Sequence, residues 1–206
     1  MGACCFFSSN AQWNLPRLKK AQDHSKKKTF LYKERDGSKR QEFLSLLDSI
    51  PPDKHIWIDE CGVEEGVEHP YGRSLKGNRI YGQRSGKVRH ARTTVIAAYR
   101  RKKMQAPFRF KGHTNTTVFN VWITECLSSV LKTDDWVILD NGDFHKSPQT
   151  RKAIEDKRAN LLFLPPYSPD LNEIEPKWAN LKARIRKDKY KTSNFLQNLD
   201  QNLSKM

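Results

Sequence analysis

Apolar residues fall in short runs along this chain, and their spacing changes partway through it. The first fifty or so positions are mixed and basic, without a clear period until QEFLSLLDSI, which predicts a short helix stopped by Pro51 and Pro52. HIWIDE (55–60) is a short apolar run ending in acids. RIYGQR (79–84), TTVIAAY (93–99) and PFRF (107–110) predict further strands, separated by Gly, Lys and Arg. From Thr116 to Leu131 the period lengthens, with Phe119, Trp122, Cys126 and Val130 recurring on one helical face. Then DWVILD (135–140) predicts a strand, and PQTRKAIEDK (148–157) a helix opened by Ser147 and Pro148. NLLFLP (160–165) predicts another strand, and the segment from about Asn172 to Lys187 a last helix. Ile174, Trp178, Leu181 and Ile185 give that helix its apolar face.

Several strands followed by helix, strand, helix, strand, helix predict an α/β fold: a mixed sheet flanked by helices. The two prolines mark the expected boundary. Residues 1–52 read as a basic N-terminal segment or linker with one short helix, and 53–206 as the main domain with its C-terminal helices. No internal repeat is visible.

Charge narrows the class. With 38 Lys+Arg against 23 Asp+Glu the formal net charge is +15, so the expected partner is a polyanion, and nucleic acid leads. Between Tyr71 and His113 there are 13 Lys or Arg residues and no acid. A short charge run reads as a solvated face, but this long block interleaved with Tyr, Gly and Phe points to nucleic-acid backbone contact. Arg73, Lys76, Arg79, Arg84, Lys87, Arg89 and Arg92 are the candidate contacts. No run approaches the ~18 apolar residues of a membrane span, and MGACCFFSSN lacks the layout of a cleavable signal. Cys4, Cys5, Cys61 and Cys126 form no metal-spaced pair, which fits a reducing cytoplasm.

The acids gather in three places: Asp53 to Glu68, Asp134 to Asp143, and Asp170 to Glu175. Asp59 and Asp140 each close an expected strand, where side chains emerge from a rigid core. Glu175 lies on the first turn of the expected last helix. Three carboxylates brought together repel one another unless a hard divalent cation neutralises them, and the matching chemistry is two-metal phosphodiester cleavage. Taken singly, each acid also has a plain structural reading. Asp59 is a strand-end residue, Asp140 precedes the Asn141-Gly142 hairpin signal, and Asn172 with Glu175 has the spacing of a capping box.

The segments IWIDECG, VILDNGDFHKS and LLFLPPYSPDLNEIEPKWANLK, in this order, resemble the signatures of the mariner-type superfamily of cut-and-paste transposases, in particular its bacterial insertion-sequence branch. The resemblance covers about Pro51 to Lys187, and KKKTFLYKERDGSKRQEF resembles the family's lead-in. Between Asp140 and Glu175 lie 34 residues, the spacing of the family's Asp-Asp-Glu triad. The resemblance implies a ribonuclease H-like fold with Asp59, Asp140 and Glu175 as catalytic ligands of two Mg2+ ions, Mn2+ being a possible substitute. It implies hydrolysis of DNA at an element's end, then attack of the freed 3′ hydroxyl on target DNA. Asn141, His145 and Glu173 are the expected neighbours of the ligands. His145 reads equally as a contact to phosphate or metal-bound water and as a packed side chain, and Asp143 and Glu173 are the rival ligands.

The chain departs from the family pattern in three ways. Only about fifty residues precede the catalytic part, and MGACCFFSSNAQWNLP shows no paired helices, so a helix-turn-helix reader of element ends is expected on a separately encoded protein half, or this copy is truncated. Glu173 stands where the family has Pro, and Pro176 just beyond predicts a shifted or loosened helix start. Asp143 adds a negative charge beside the expected metals. The chemistry of two ends makes a homodimer plausible, and a bacterial source would place the protein at the nucleoid. The alternatives are a related nuclease that cuts without joining and an inactive DNA-binding remnant.

Overall fold

The structure is a computed structural model that describes residues 32–65, 73–82, 92–189, 191 and 194–206. Most of the basic N-terminal segment, and Arg84, Lys87 and Arg89, lie outside these residues. Contacts divide the chain between Leu31 and Tyr32, well ahead of the boundary that Pro51 and Pro52 suggested. The reason is helix α1 (Gly37–Ser49). Asp36 caps it by accepting from the N–H groups of Ser38 and Lys39, and its Phe43 is buried with Trp57, Trp178 and Leu181 in one core cluster. The two prolines do stop the helix, yet the helix belongs to the body of the domain.

A five-stranded sheet is the centre of that body. After β1 (His55–Glu64) come β2 (Arg92–Arg100) and β3 (Lys103–Lys111), paired antiparallel as successive neighbours. Helix α2 (Thr116–Glu125) follows, then β4 (Trp136–Leu139), helix α3 (Pro148–Glu155) and β5 (Asn160–Phe163). β4 lies parallel to β1 on its other side, β5 parallel to β4, and the order is β3-β2-β1-β4-β5. Helices α4 (Glu175–Asp188) and α5 (Phe195–Leu203) close the chain. This is the expected mixed sheet flanked by helices.

Alternation along the strands sends side chains to two cores. Trp57, Cys61, Val95, Ala97 and Ile138 meet α1, α4 and α5 on one face. Ile56, Ile58, Ile96, Val137 and Leu139 meet α2 and α3 on the other. β1 and β2 are thus covered on both sides, which explains runs such as VIAA that do not alternate. On edge strand β3, Ala106 takes φ 47° next to the register shift opposite Ile96 and Ala98, and its carbonyl accepts from the Trp122 indole N–H at 2.8 Å.

Two element expectations are corrected. Arg79–Gly82 of RIYGQR is not strand but exposed loop, and among the described residues no strand pairs with it. Asn172 is not the N-cap of the last predicted helix. It follows a short 3-10 turn, Pro169–Leu171, and α4 begins only at Glu175, with Pro176 in its first turn where the missing N–H costs nothing. Helix α5 gives a range to the C-terminal helices, which the sequence pattern bounded only as far as Lys187. It holds α4 through Asn198, whose amide donates to the Ile185 carbonyl at 3.1 Å, and is itself tied to the sheet by Arg109 of β3, which grips Asp200 at 2.6 and 2.9 Å. Among the described residues no helix is long and apolar enough to cross a membrane, and Cys61 and Cys126 are free thiols.

Candidate active site

The register of β1 against β4 brings two of the acids together. His55, Ile56 and Trp57 pair with Trp136, Val137 and Ile138. Carried on by two residues, this register sets Asp59 beside Asp140. β4 ends at Leu139, so Asp140 leaves the sheet there, while β1 continues to Glu64 against β2 alone. Asp59 is therefore an interior residue of its strand, freed on one side by the end of its neighbour. Glu175 arrives as the first residue of α4, whose Trp178, Leu181 and Ile185 are buried against the sheet, each worth roughly 1.5–3 kcal/mol of burial. Asp59, Asp140 and Glu175 all line one cavity of about 490 Å³, together with Asn141, Asn172 and the Leu164–Pro169 loop.

His145 fixes Asp140. The chain after β4 makes no hairpin, since β4 and β5 run parallel; it forms a 3-10 turn, Asp143–Lys146, that carries His145 back beneath the strand end. Its Nδ1 lies 2.5 Å from Asp140 Oδ1 and its Nε2 3.0 Å from Glu60 Oε1. The ring is buried, between Phe119 at 4.4 Å and Phe144 at 4.0 Å from its centroid. Burial works against its charge, but the hydrogen bonds to Asp140 and Glu60 prevail and raise its pKa to about 9. It is an imidazolium at neutral pH, donating to both carboxylates. Asp140 moves the other way: burial raises its pKa, but the His145 hydrogen bond and charge, with the Gly142 N–H at 2.9 Å, hold it below the ordinary carboxylate range.

Asp59 has the opposite balance. Burial first, then the negative charge of Glu175, pushes its pKa up to about 7, with Glu60 and Asp140 adding to the effect. Its Oδ1 accepts from the Glu60 N–H at 2.8 Å and its Oδ2 from the Trp178 indole N–H at 3.1 Å. A carboxyl raised by its acidic neighbours is one that a cation would relieve. The donor set of hard carboxylate oxygens fits a divalent ion such as Mg2+. The buried Asn172 Oδ1 in the same wall has no hydrogen-bond partner. Among the described residues no group of three His, Cys, Asp or Glu is drawn together tightly enough to hold an ion as placed.

A sequence model of the DDE superfamily endonuclease family matches residues 54–197, which includes all three acids. The chain belongs to that family. No curated protein matches it in sequence. Among solved structures, this DDE endonuclease is similar to the Mos1 transposase paired-end complex with left transposon end, at a TM-score of 0.65 and 13% identity, over 81% of this chain and 55% of that one. The Mos1 mariner paired end complex with Mn gives 0.65 and 13% over 91% and 66%. The Mos1 transposase catalytic domain and Raltegravir with Mg gives 0.54 and 15% over 81% and 79%. The likeness shows a ribonuclease H-like fold, and the chain spans about 55% of the Mos1 chain in the first of these complexes.

In this DDE endonuclease the other expected residues separate. Asn141 lines the cavity and His145 stands behind it, whereas Glu173 is exposed and not part of the lining. Asp143 points into solvent, 3.7 Å from Lys146, so its charge is turned away from the acids. Asp170 is taken up by Arg40 at 2.8 Å and Arg35 at 3.5 Å. Arg73, Lys76 and Arg79 are exposed in the loop after β1. Arg92 opens β2 and lines a second cavity of about 380 Å³ with Glu64, Glu175 and Lys182. Sequence reading missed two functional contacts. Glu60 was hidden as the neighbour of Asp59, although its place on the opposite strand face was a signal, and the Trp178 indole was read as core alone.

Proposed function

We propose that this chain is the catalytic part of a DNA transposase, cutting a DNA strand at an element's end and joining the freed end to target DNA. The observation that supports this most directly is the convergence of Asp59, Asp140 and Glu175, from three separate elements, on one cavity in a DDE endonuclease with net charge +15. Asp59, Asp140 and Glu175 are the residues that would hold two Mg2+ ions, or Mn2+ in their place. The ions, when bound, supply charge stabilisation to the reacting phosphodiester.

The protein's own part is placement. His145 and the Gly142 N–H both engage Oδ1 of Asp140 and so fix its orientation, leaving Oδ2 for the cavity. Trp178 holds one oxygen of Asp59, and α4 carries Glu175 on a helix fixed in the core. No covalent protein nucleophile is required, and burial raises the pKa of Cys61, which keeps that thiol protonated. The exposed Arg73, Lys76, Arg79 and Arg92 supply the positive surface for DNA phosphates.

The test is cleavage of supercoiled plasmid with and without Mg2+, comparing wild type with Asp140→Asn. Metal-dependent nicking that the substitution abolishes, with DNA binding retained, is expected. Full cleavage by Asp140→Asn overturns the assignment. A labelled-end strand-transfer assay then separates a transposase from a nuclease that only cuts.

A further inference from the structure

The acidic cavity has a second kind of wall that the proposed chemistry leaves unused. Tyr32 and Tyr167 both line it, with Pro165 and Pro166, yet they remain 56% and 53% exposed. Their ring centroids are 5.6 Å apart at an interplanar angle of 42°. Tyr167 is held at φ 55°, a left-handed backbone region that a bulky side chain rarely occupies. The surroundings that hold it are built and not incidental. Arg40 donates twice to Asp170, at 3.1 and 2.8 Å, and Arg35 adds a third contact at 3.5 Å, so the segment that carries Tyr32 is fastened to the loop that carries Tyr167. Ser168 donates to the Pro166 carbonyl at 3.1 Å within that loop. Two aromatic rings are thus kept half-exposed, in contact, at the rim of a site lined by carboxylates.

We propose that Tyr32 and Tyr167 form a stacking platform for an unpaired nucleobase of the DNA strand whose phosphate lies at Asp59, Asp140 and Glu175. The inference rests on the proposed function, and it adds the conformation of the substrate. A nucleotide carries its phosphate and its base on one sugar. A cavity of about 490 Å³ that presents acids in one part and tyrosines with prolines in another matches both ends of that unit. A base within a duplex has both faces covered by its neighbours, so only an unpaired base offers a face to the rings. Stacking on tyrosine is sequence-tolerant, because every base has a π face. The strand is therefore bound locally melted at the cleaved phosphate.

The full chain is titrated, without metal, with a single-stranded oligonucleotide carrying one 2-aminopurine and a terminal dye, and with the same dye-labelled oligonucleotide in which every base is replaced by an abasic site, affinity being read from the dye's anisotropy and stacking from 2-aminopurine fluorescence. Wild type is expected to quench the fluorophore. Tyr32→Ala and Tyr167→Ala should weaken binding of the base-containing strand by about 5- to 150-fold, while Tyr167→Phe stays within about twofold of wild type. On the abasic strand all four proteins should bind alike. Tyr32 is exposed, so Tyr32→Ala keeps the test valid if Tyr167→Ala fails to fold. Unchanged affinity in Tyr32→Ala, or an equal loss on both strands, overturns the platform. Plasmid nicking that depends on Asp140, together with quenching that ignores the tyrosines, refutes the platform alone. Tyrosine-dependent quenching in a protein that cuts no DNA refutes the proposed function and leaves the platform standing.

Discussion

His145 lies between Asp140 and Glu60, with Nδ1 2.5 Å from the first carboxylate and Nε2 3.0 Å from the second. Asp140 is the residue after β4 and Glu60 belongs to β1, so the imidazolium ties together the two strands that carry Asp140 and Asp59. Removing it leaves Glu60, whose side chain is 13% exposed, as a largely buried charge without its partner. His145→Ala is expected to destabilise the domain by roughly 3–5 kcal/mol, the usual cost of breaking a buried pair from one side, and Glu60→Gln by less, since an amide oxygen still accepts. Urea unfolding of the two variants measures both.

The same ring makes stability depend on pH. Its folded-state pKa is raised from 6.5 to about 9, so the stabilisation is fully present below about 6.5. It falls as the unfolded state loses its proton first, and is gone above about 9, an effect on the order of 3 kcal/mol. Asp59, raised from 3.8 to about 7, adds a slope of the same sign at lower pH, because there too the folded state keeps the proton longer. Metal-free stability should therefore fall from about pH 4 to pH 9 on account of these two groups. Unfolding midpoints in a chelator at pH 6, 7.5 and 9 test it, and His145→Ala should flatten the upper part of the curve.

Local pattern carried most of the fold. Apolar spacing was enough to place the strands HIWIDE, TTVIAAY and DWVILD and the helix around Trp178, because each buries a face against the sheet. What escaped depended on partners far along the chain. Glu60 acquires its role from His145, 85 positions away, and Asp170 from Arg40, 130 away. The range of helix α5 escaped because a strongly charged stretch after Ile185 hides the apolar positions Phe195, Leu199 and Leu203 that follow it. The Arg79–Gly82 part of RIYGQR has a strand's composition but no neighbouring strand among the described residues, and the capping-box spacing at Asn172 was overridden by the 3-10 turn before it and by Pro176.

Trp178 joins core and site in one side chain. Its ring packs α4 to the sheet and its Nε1 donates to Asp59 Oδ2 at 3.1 Å. Trp178→Phe keeps most of the packing and removes the donor. It should cost roughly 1–3 kcal/mol in urea unfolding and push the Asp59 pKa above about 7, since a hydrogen bond to the charged form is lost. Carboxyl titration by NMR reads the second effect independently of the first.

Gly142 has ordinary extended backbone, φ −66° and ψ 143°, so a side chain there is limited by contacts alone. A Cβ would meet Asp140 Oδ1 at 3.0 Å, the Phe144 ring at 3.3 Å and His145 Nδ1 at 3.4 Å. Gly142→Ala should then press on the Asp140–His145 hydrogen bond, costing about 1–3 kcal/mol and lowering any metal-dependent nicking. Gly37→Ala, at the start of α1 with nothing within 4 Å, is the control that should leave both unchanged.

The raised pKa of Asp59 predicts a proton count for metal binding. Near pH 7 its carboxyl is about half protonated in the free protein, for burial and the charge of Glu175 both resist ionisation. A divalent cation held by Asp59, Asp140 and Glu175 reverses that balance and requires the carboxylate form, so binding must release the proton. Titration calorimetry of Mg2+ or Mn2+ in buffers of different ionisation enthalpy should find roughly half a proton released per site at pH 7, close to one at pH 6 and almost none at pH 9. Affinity should rise across the same range. Asp59→Asn should abolish the release, and metal binding that is proton-neutral at pH 6 in the wild type would show that Asp59 stays protonated and is not a ligand.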